Sequence, residues 1–209
     1  YSHDLNQFNE KVVQQHWQGK KLLLSHSMGG AIAFDYLARY SHDFSGAFLS
    51  APMFDIHTKG IPKPVAQFIA ASASLLGFSG CYALGQSDYS AEEFALNTLT
   101  SSQLRYEQFR TTYQQTPLLQ LGGVTYGWLH TVFSFIKALD KLSITTPLFI
   151  ASAENDEVVD NQAQYKLASR HKNTLIKQFK GAKHELFFER DDIRQSLLTS
   201  LYKFCESVG

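Results

Sequence analysis

Residues 20–30 read KKLLLSHSMGG, so that a short apolar run, Leu22 to Leu24, meets a glycine pair only four residues later. A run of this length, preceded by Gly19 and followed by Gly29 and Gly30, suits a strand buried on both faces better than a helix. From residue 28 to residue 40 the apolar side chains Ala31, Phe34, Tyr36, Leu37 and Tyr40 return at helical spacing. A strand must therefore turn abruptly into a helix, and such a unit needs neighbouring strands to cover it.

Those neighbours are legible. Residues 46–53 (GAFLSAPM), 147–153 (PLFIASA) and Thr174–Phe179 read as further strands; Pro52 ends one and Pro147 opens another. Residues 4–17, 157–171 and 190–207 read as amphipathic helices, the last with Ile193, Leu197, Leu198, Leu201 and Phe204 on one face. Alternating strands and helices predict an α/β fold with a parallel sheet. About ninety residues in the middle differ in character: 65–78, 91–99, 103–114 and 124–142 all have helical periodicity, punctuated by Gly77, Gly80, Gly85, Pro117 and Gly122-Gly123. The predicted organisation is an α/β core over residues 1–54 and 143–209, with residues 55–142 inserted as a helical lid.

Composition narrows the function. The 209 residues are 44% hydrophobic and 13% aromatic, enough for one sizeable core. Lys plus Arg and Asp plus Glu each number 19, so no net field holds a polyanion and non-specific nucleic-acid binding is not expected. Cys81 and Cys205 have neither CxxC nor Cys/His ligand spacing, so no metal or disulfide framework is expected, and both are predicted to be small buried residues. The sequence implies no cofactor. No purely apolar run approaches 18 residues, so no membrane span is expected. No signal-peptide pattern opens the chain, which starts at Tyr1 rather than Met.

The strand-to-helix turn carries the chemistry. In Ser25-His26-Ser27-Met28-Gly29, Ser27 stands where a Gly-x-Ser-x-Gly elbow exposes a nucleophile, with small residues two before and two after it. Ser25 replaces the usual first glycine. The helix that follows aims free N–H groups and its positive dipole end at the turn, and the Met28 N–H is the candidate oxyanion donor. A serine hydroxyl needs a base and a group to orient that base. His184, in the loop after the strand Thr174–Phe179, is the candidate base; His171, at the charged end of a helix, reads instead as a cationic cap. The acid belongs in the loop after residues 147–153. Asp156 is favoured there, Glu154 is next, and Asp160 reads as a first-turn helix residue. The order Ser, acid, His puts all three at the C-terminal edge of one sheet. A Ser at the elbow disfavours the dehalogenase and epoxide-hydrolase chemistries, whose elbow carries Asp.

Residues 24–30 (LSHSMGG), 50–53 (SAPM), 122–128 (GGVTYGW), 154–160 (ENDEVVD) and 183–188 (KHELFF) together resemble the lysophospholipase L2 branch of the α/β-hydrolases, close to the monoacylglycerol lipases. The resemblance implies hydrolysis of the fatty-acyl ester of a lysophospholipid or another single-chain lipid ester, with transfer to a lipid alcohol as a variant. It implies Ser27 as nucleophile, Asp156 as acid and His184 as base. It also implies a cytoplasmic location or one peripheral to the inner membrane. Members of this fold carry earlier strands and a His-Gly loop that gives a second oxyanion N–H; neither precedes Tyr1. The expectation is that this chain alone is poorly active, a non-catalytic binding fragment, or an oligomer formed through an exposed sheet edge.

The insertion is rich in Phe68, Ile69, Leu75, Leu76, Phe78, Tyr126, Trp128, Leu129, Phe133 and Phe135. Some of these must pack its own core. An apolar face left over would hold an acyl chain, Tyr126 and Trp128 among its candidates, while Arg105, with Arg110, Lys59 and Lys63, is the candidate for a phosphate head group. Residues 61–78 read first as a buried lid helix, with contact to a membrane surface as the alternative.

Overall fold

The structure, a computed structural model, describes residues 1–58 and 60–208; Lys59 lies outside the described residues. The chain divides into two compact units, residues 1–56, 98–101 and 139–209 forming the first and residues 57–97 and 102–138 the second. The strands are β1 (Lys21–His26), β2 (Phe44–Ser50), β3 (Leu148–Ala153) and β4 (Thr174–Phe179). In chain order the helices are α1 (Ser2–Phe8), α2 (Gln14–His16), α3 (Met28–Arg39), α4 (Lys63–Leu75), α5 (Gln103–Gln115), α6 (Tyr126–Leu139), α7 (Asn161–Arg170) and α8 (Asp191–Val208).

In the first unit the four strands form one parallel sheet in the order β1-β2-β3-β4. β3 is buried at every position, as a strand with helices on both faces must be. Alternate residues serve the two faces. Phe48, Phe149, Ala151, Ala153 and Phe179 pack with Leu197 and Phe204 of α8, and the rings of Phe48 and Phe149 stack at 4.7 Å. A Cβ on Gly46 would lie 3.0 Å from the Phe204 ring, so any side chain there would require that ring to give way by a few tenths of an ångström. On α3, Phe34 and Tyr36 are fully buried, and Phe34 meets Phe54 and His171 edge-on. β1 is an edge strand of the described sheet, and Leu24 on it is 52% exposed.

The second unit contains α4, α5 and most of α6. Its irregular segments are tied by a bridge between Tyr82 and Thr125 and by hydrogen bonds from Gly123 N to the Ser87 carbonyl and from Gly127 N to the Ser79 carbonyl. A Cβ on Gly127 would lie 2.9 Å from that Ser79 oxygen, so the close approach requires glycine.

Several expectations need correction. The first helix runs without a break over residues 2–16 but carries a π-helical turn, Asn9–Val13, between α1 and α2, and the buried Asn9 amide donates to the Tyr36 hydroxyl at 3.1 Å. Residues 91–99 form only a single 3-10 turn, Phe94–Leu96, although their apolar spacing is helical. The second strand ends at Ser50, because Ala51 takes a φ of 44°. Helix α7 starts at Asn161, and Asp160 caps it by accepting from the Gln162 N–H at 2.8 Å. Neither cysteine is buried: Cys81 is exposed in the second unit, and Cys205 is half-buried on α8. His171 does stand at the C-cap of α7, but buried rather than offered as a cation to the helix end. Its ring is 8% exposed against Phe34, and burial, then the Arg170 charge, lower its pKa against a backbone hydrogen bond with Ile144 that raises it.

Candidate active site

Each group of the site stands just past the C-terminal end of a strand in the first unit. β1 ends at His26, and Ser27 follows at the strained angles φ 52° and ψ −122° before α3 begins at Met28. Strain of this kind persists only where the surroundings over-determine it. Here the Ser27 N–H donates to the Ser50 carbonyl, and the Ser27 carbonyl accepts from Gly30 and Met53, all at 2.9 Å. The tight steric requirement falls on Gly30: a Cβ there would lie 2.6 Å from the Pro52 Cβ. At Gly29 a Cβ would be 3.8 Å from the Ser25 Cβ, an ordinary contact, which is why Ser25 fits where a glycine is usual. Met28 is the first helical residue, so its N–H is among those without an intrahelical acceptor.

His184 is 3% exposed and stands between the other two groups. Its Nε2 is 2.9 Å from Ser27 Oγ and its Nδ1 is 2.8 Å from Asp156 Oδ2. Asp156 is itself fixed, since its Oδ1 accepts from the N–H groups of Val158 at 2.9 Å and Val159 at 3.0 Å. Backbone bonds from Asn155 N to the Ala182 carbonyl, and from Glu154 N to the Phe179 carbonyl, lace the acid loop to the histidine loop. Glu154 is engaged elsewhere: its carboxylate accepts from Gly181 N at 2.7 Å. The structure thus brings Ser27, Met28, His184 and Asp156 together, and not Glu154, Asp160 or His171.

Two further groups escaped the sequence reading. The His26 ring lies 4.8 Å from the His184 ring, and its Nε2 is 3.2 Å from Glu185 Oε1, an ion-pair distance when His26 is protonated. Burial alone would raise the Glu185 pKa, but the hydrogen bond and charge of His26, with the charge of His184, hold this carboxyl below its ordinary 4.5. Position 26 precedes the nucleophile and position 185 follows the base, which is the one sequence signal that pointed there.

The remaining candidates lie in the second unit. Tyr126 and Trp128 are half-buried in the first turn of α6, where the Trp128 N–H donates to Thr125 Oγ1 at 3.2 Å. Arg105 lies in the first turn of α5 behind the cap Ser102. Arg110 donates to the Glu92 carbonyl at 3.3 Å. Among the described residues no cluster of His, Cys, Asp or Glu has metal-holding geometry, and no helix is long and apolar enough to cross a membrane.

The chain is similar to several known proteins. The chain is 33% identical to the probable lysophospholipase L2 of Haemophilus influenzae over 98% of its own length and 65% of that protein's. It is 31% identical to lysophospholipase L2 of Escherichia coli K12, over 98% of this chain and 63% of that protein. It therefore spans a little under two thirds of the length of these relatives. Among solved structures, the monoacylglycerol lipase of Paleococcus ferrophilus superposes with a TM-score of 0.75 over all of this chain and 74% of that one, at 18% identity, which is a likeness of fold. The fold is that of the α/β-hydrolases. The model of one family, Serine aminopeptidase, S33, matches residues 1–191, and the chain belongs to that family.

Proposed function

We propose that this protein is a serine hydrolase that cleaves the fatty-acyl ester of lysophospholipids through an acyl-enzyme. The observation that carries the reading is the single imidazole of His184 spanning Ser27 Oγ and Asp156 Oδ2 at 2.9 and 2.8 Å. In the first half-reaction His184 Nε2 takes the Ser27 proton as Oγ attacks the acyl carbonyl, and Asp156 stabilises the imidazolium through Nδ1–H. The Met28 N–H donates to the oxyanion, a contribution worth about 10²–10³ in rate for one donor. Collapse breaks the bond to the glycerol oxygen, which takes the proton from Nε2 and leaves the acyl group on Oγ. Water, losing its proton to His184, then reverses the steps and frees the fatty acid. A lipid alcohol in place of water would give acyl transfer by the same route.

In the same proposal the second unit acts as a lid that receives the acyl chain on apolar side chains, Tyr126 and Trp128 among them, and Arg105 meets the phosphate. The apolar excess of that unit supports this, since Phe68, Leu75 and Leu76 are each at least 72% exposed. Each buried CH₂ contributes about 0.8 kcal/mol without direction, so chain length is a soft preference. The exposed stripe on α4 supports contact with a membrane surface.

The test is turnover of a lysophospholipid and of a monoacylglycerol with the same acyl chain, by wild type and by Ser27→Ala. Preference for the lysophospholipid, lost in the variant, is expected. Preference for the glyceride moves the reading to monoacylglycerol lipase, and a free-alcohol ester among the products to acyl transfer. A folded protein that turns over neither substrate overturns the reading.

A further inference from the structure

Besides the triad, the first unit holds one carboxylate with no exposed surface, Glu189, at the end of the short 3-10 turn Leu186–Phe188. A charge so placed needs donors on every side. Glu189 Oε1 accepts from Lys183 N at 2.8 Å and Ser101 N at 3.0 Å, and Oε2 accepts from Ser101 Oγ and from Arg190 N at 3.1 Å. Lys183 is the residue before His184. The residue after it, Glu185, donates its N–H to the Leu99 carbonyl at 2.8 Å, and Thr100 Oγ1 donates to the Phe188 carbonyl at 2.7 Å. Both backbone flanks of the imidazole are therefore tethered, one to Glu189 and one to the segment 98–101 that Glu189 grips. That segment belongs to the first unit, although the chain on either side of it belongs to the second.

We propose that Glu189 is a positioning residue for His184: its buried carboxylate clamps the histidine loop to residues 98–101 and so sets the distances from the imidazole to Ser27 and Asp156. The inference rests on the catalytic reading of His184 given above. Glu189 touches no reacting group and acts only through the loop. Both its oxygens are needed as acceptors. In Glu189→Gln one oxygen becomes an NH₂: at Oε1 it faces the N–H groups of Lys183 and Ser101, and at Oε2 it faces the Arg190 N–H while the Ser101 hydroxyl can turn to accept, so at least one buried N–H loses its acceptor and the loop shifts to relieve it. A displacement of about 1 Å at a catalytic base costs on the order of 10²-fold in rate.

The test compares wild type, Glu189→Gln, Ser101→Ala and Ser27→Ala. It measures the rate of labelling by a small fluorophosphonate per folded molecule, KM for an ester substrate, and the far-downfield proton resonance of the His184 Nδ1–H. Glu189→Gln is expected to label about 10–100-fold more slowly with KM unchanged and the resonance broadened or shifted. Ser101→Ala, which deletes one donor and leaves the carboxylate, is expected to move the same readouts in the same direction by about 2–5-fold. A lowered melting temperature with labelling rate and resonance both at wild-type values overturns the clamp and leaves Glu189 structural. If Glu189→Gln does not fold, Ser101→Ala decides by the same criteria. If Ser27→Ala is labelled as fast as wild type, the hydrolase reading itself falls, whichever way the other variants behave.

Discussion

The two units use similar apolar side chains to different ends. In the first, Phe34, Tyr36, Phe48, Leu49, Leu148 and Ile150 are fully buried. In the second, the buried apolar residues among those described are Ala70, Ala83, Tyr106, Val132 and Phe133, while Phe68, Leu75, Leu76, Leu118 and Leu121 are all more than 70% exposed. A sheet gives every helix above it a continuous surface on which to close. Three helices joined by long irregular segments have no such floor, and their apolar residues remain outside. The strained Ser27, His184 and Asp156 are all carried by the unit with the larger core.

The largest effect that tests this division is catalytic. Asp156→Asn turns an amide towards His184 and favours the wrong imidazole tautomer, and kcat is expected to fall about 10⁴-fold in steady-state assays with little change in melting temperature. A loss under tenfold would mean that the buried triad geometry is not what drives turnover. Next in size is a matched pair of truncations. Phe48→Ala removes a stacked, fully buried ring and is expected to cost about 3–5 kcal/mol in urea unfolding, whereas Leu75→Ser, on a side chain 88% exposed, is expected to stay within about 0.5 kcal/mol. Equal costs would erase the distinction between the units.

How far the division was legible in the sequence follows from the same physics. Short apolar runs beside Gly or Pro identified β1, β2 and β3, although only β3 is buried at every position; β4 is polar at half of its positions and Leu175 on it is exposed. The elbow was legible because Ser27 sits between such a run and a helical period. Residues 91–99 misled, since apolar spacing alone does not make a helix where no surface waits to receive its face. Asp156 and Glu154 share one loop, and only the backbone path, which ties Glu154 to Gly181, separates them. Glu189 had no sequence signal at all: in Phe188-Glu189-Arg190-Asp191 it reads as one more surface charge, and its donors come from positions as distant as Ser101.

A smaller effect, of pH, belongs to the first unit, which holds both His171 and Glu185. The folded-state pKa of His171 is lowered from 6.5, so the unfolded chain binds the extra proton first, and stability falls as pH drops below about 6.5. Glu185, a carboxyl with a lowered pKa, removes its contribution only further down, below its ordinary 4.5. His171→Leu is expected to flatten the fall in melting temperature between pH 7 and pH 5.5, and an unchanged slope would show that this ring does not report on the core. The smallest effect belongs to the exposed stripe. Leu75→Ser with Leu76→Ser is expected to weaken co-sedimentation with phospholipid vesicles by a few-fold while hydrolysis of a short soluble ester stays at the wild-type rate. Unaltered sedimentation would exclude this stripe as the lipid contact.

The most direct test of the account is to map by peptide mass spectrometry where a fluorophosphonate attaches, in wild type and in His184→Ala. The expected result is one adduct, on Ser27, formed faster as pH rises and lost when the imidazole is removed. An adduct on another residue, or labelling of Ser27 that proceeds equally fast without His184, would contradict it.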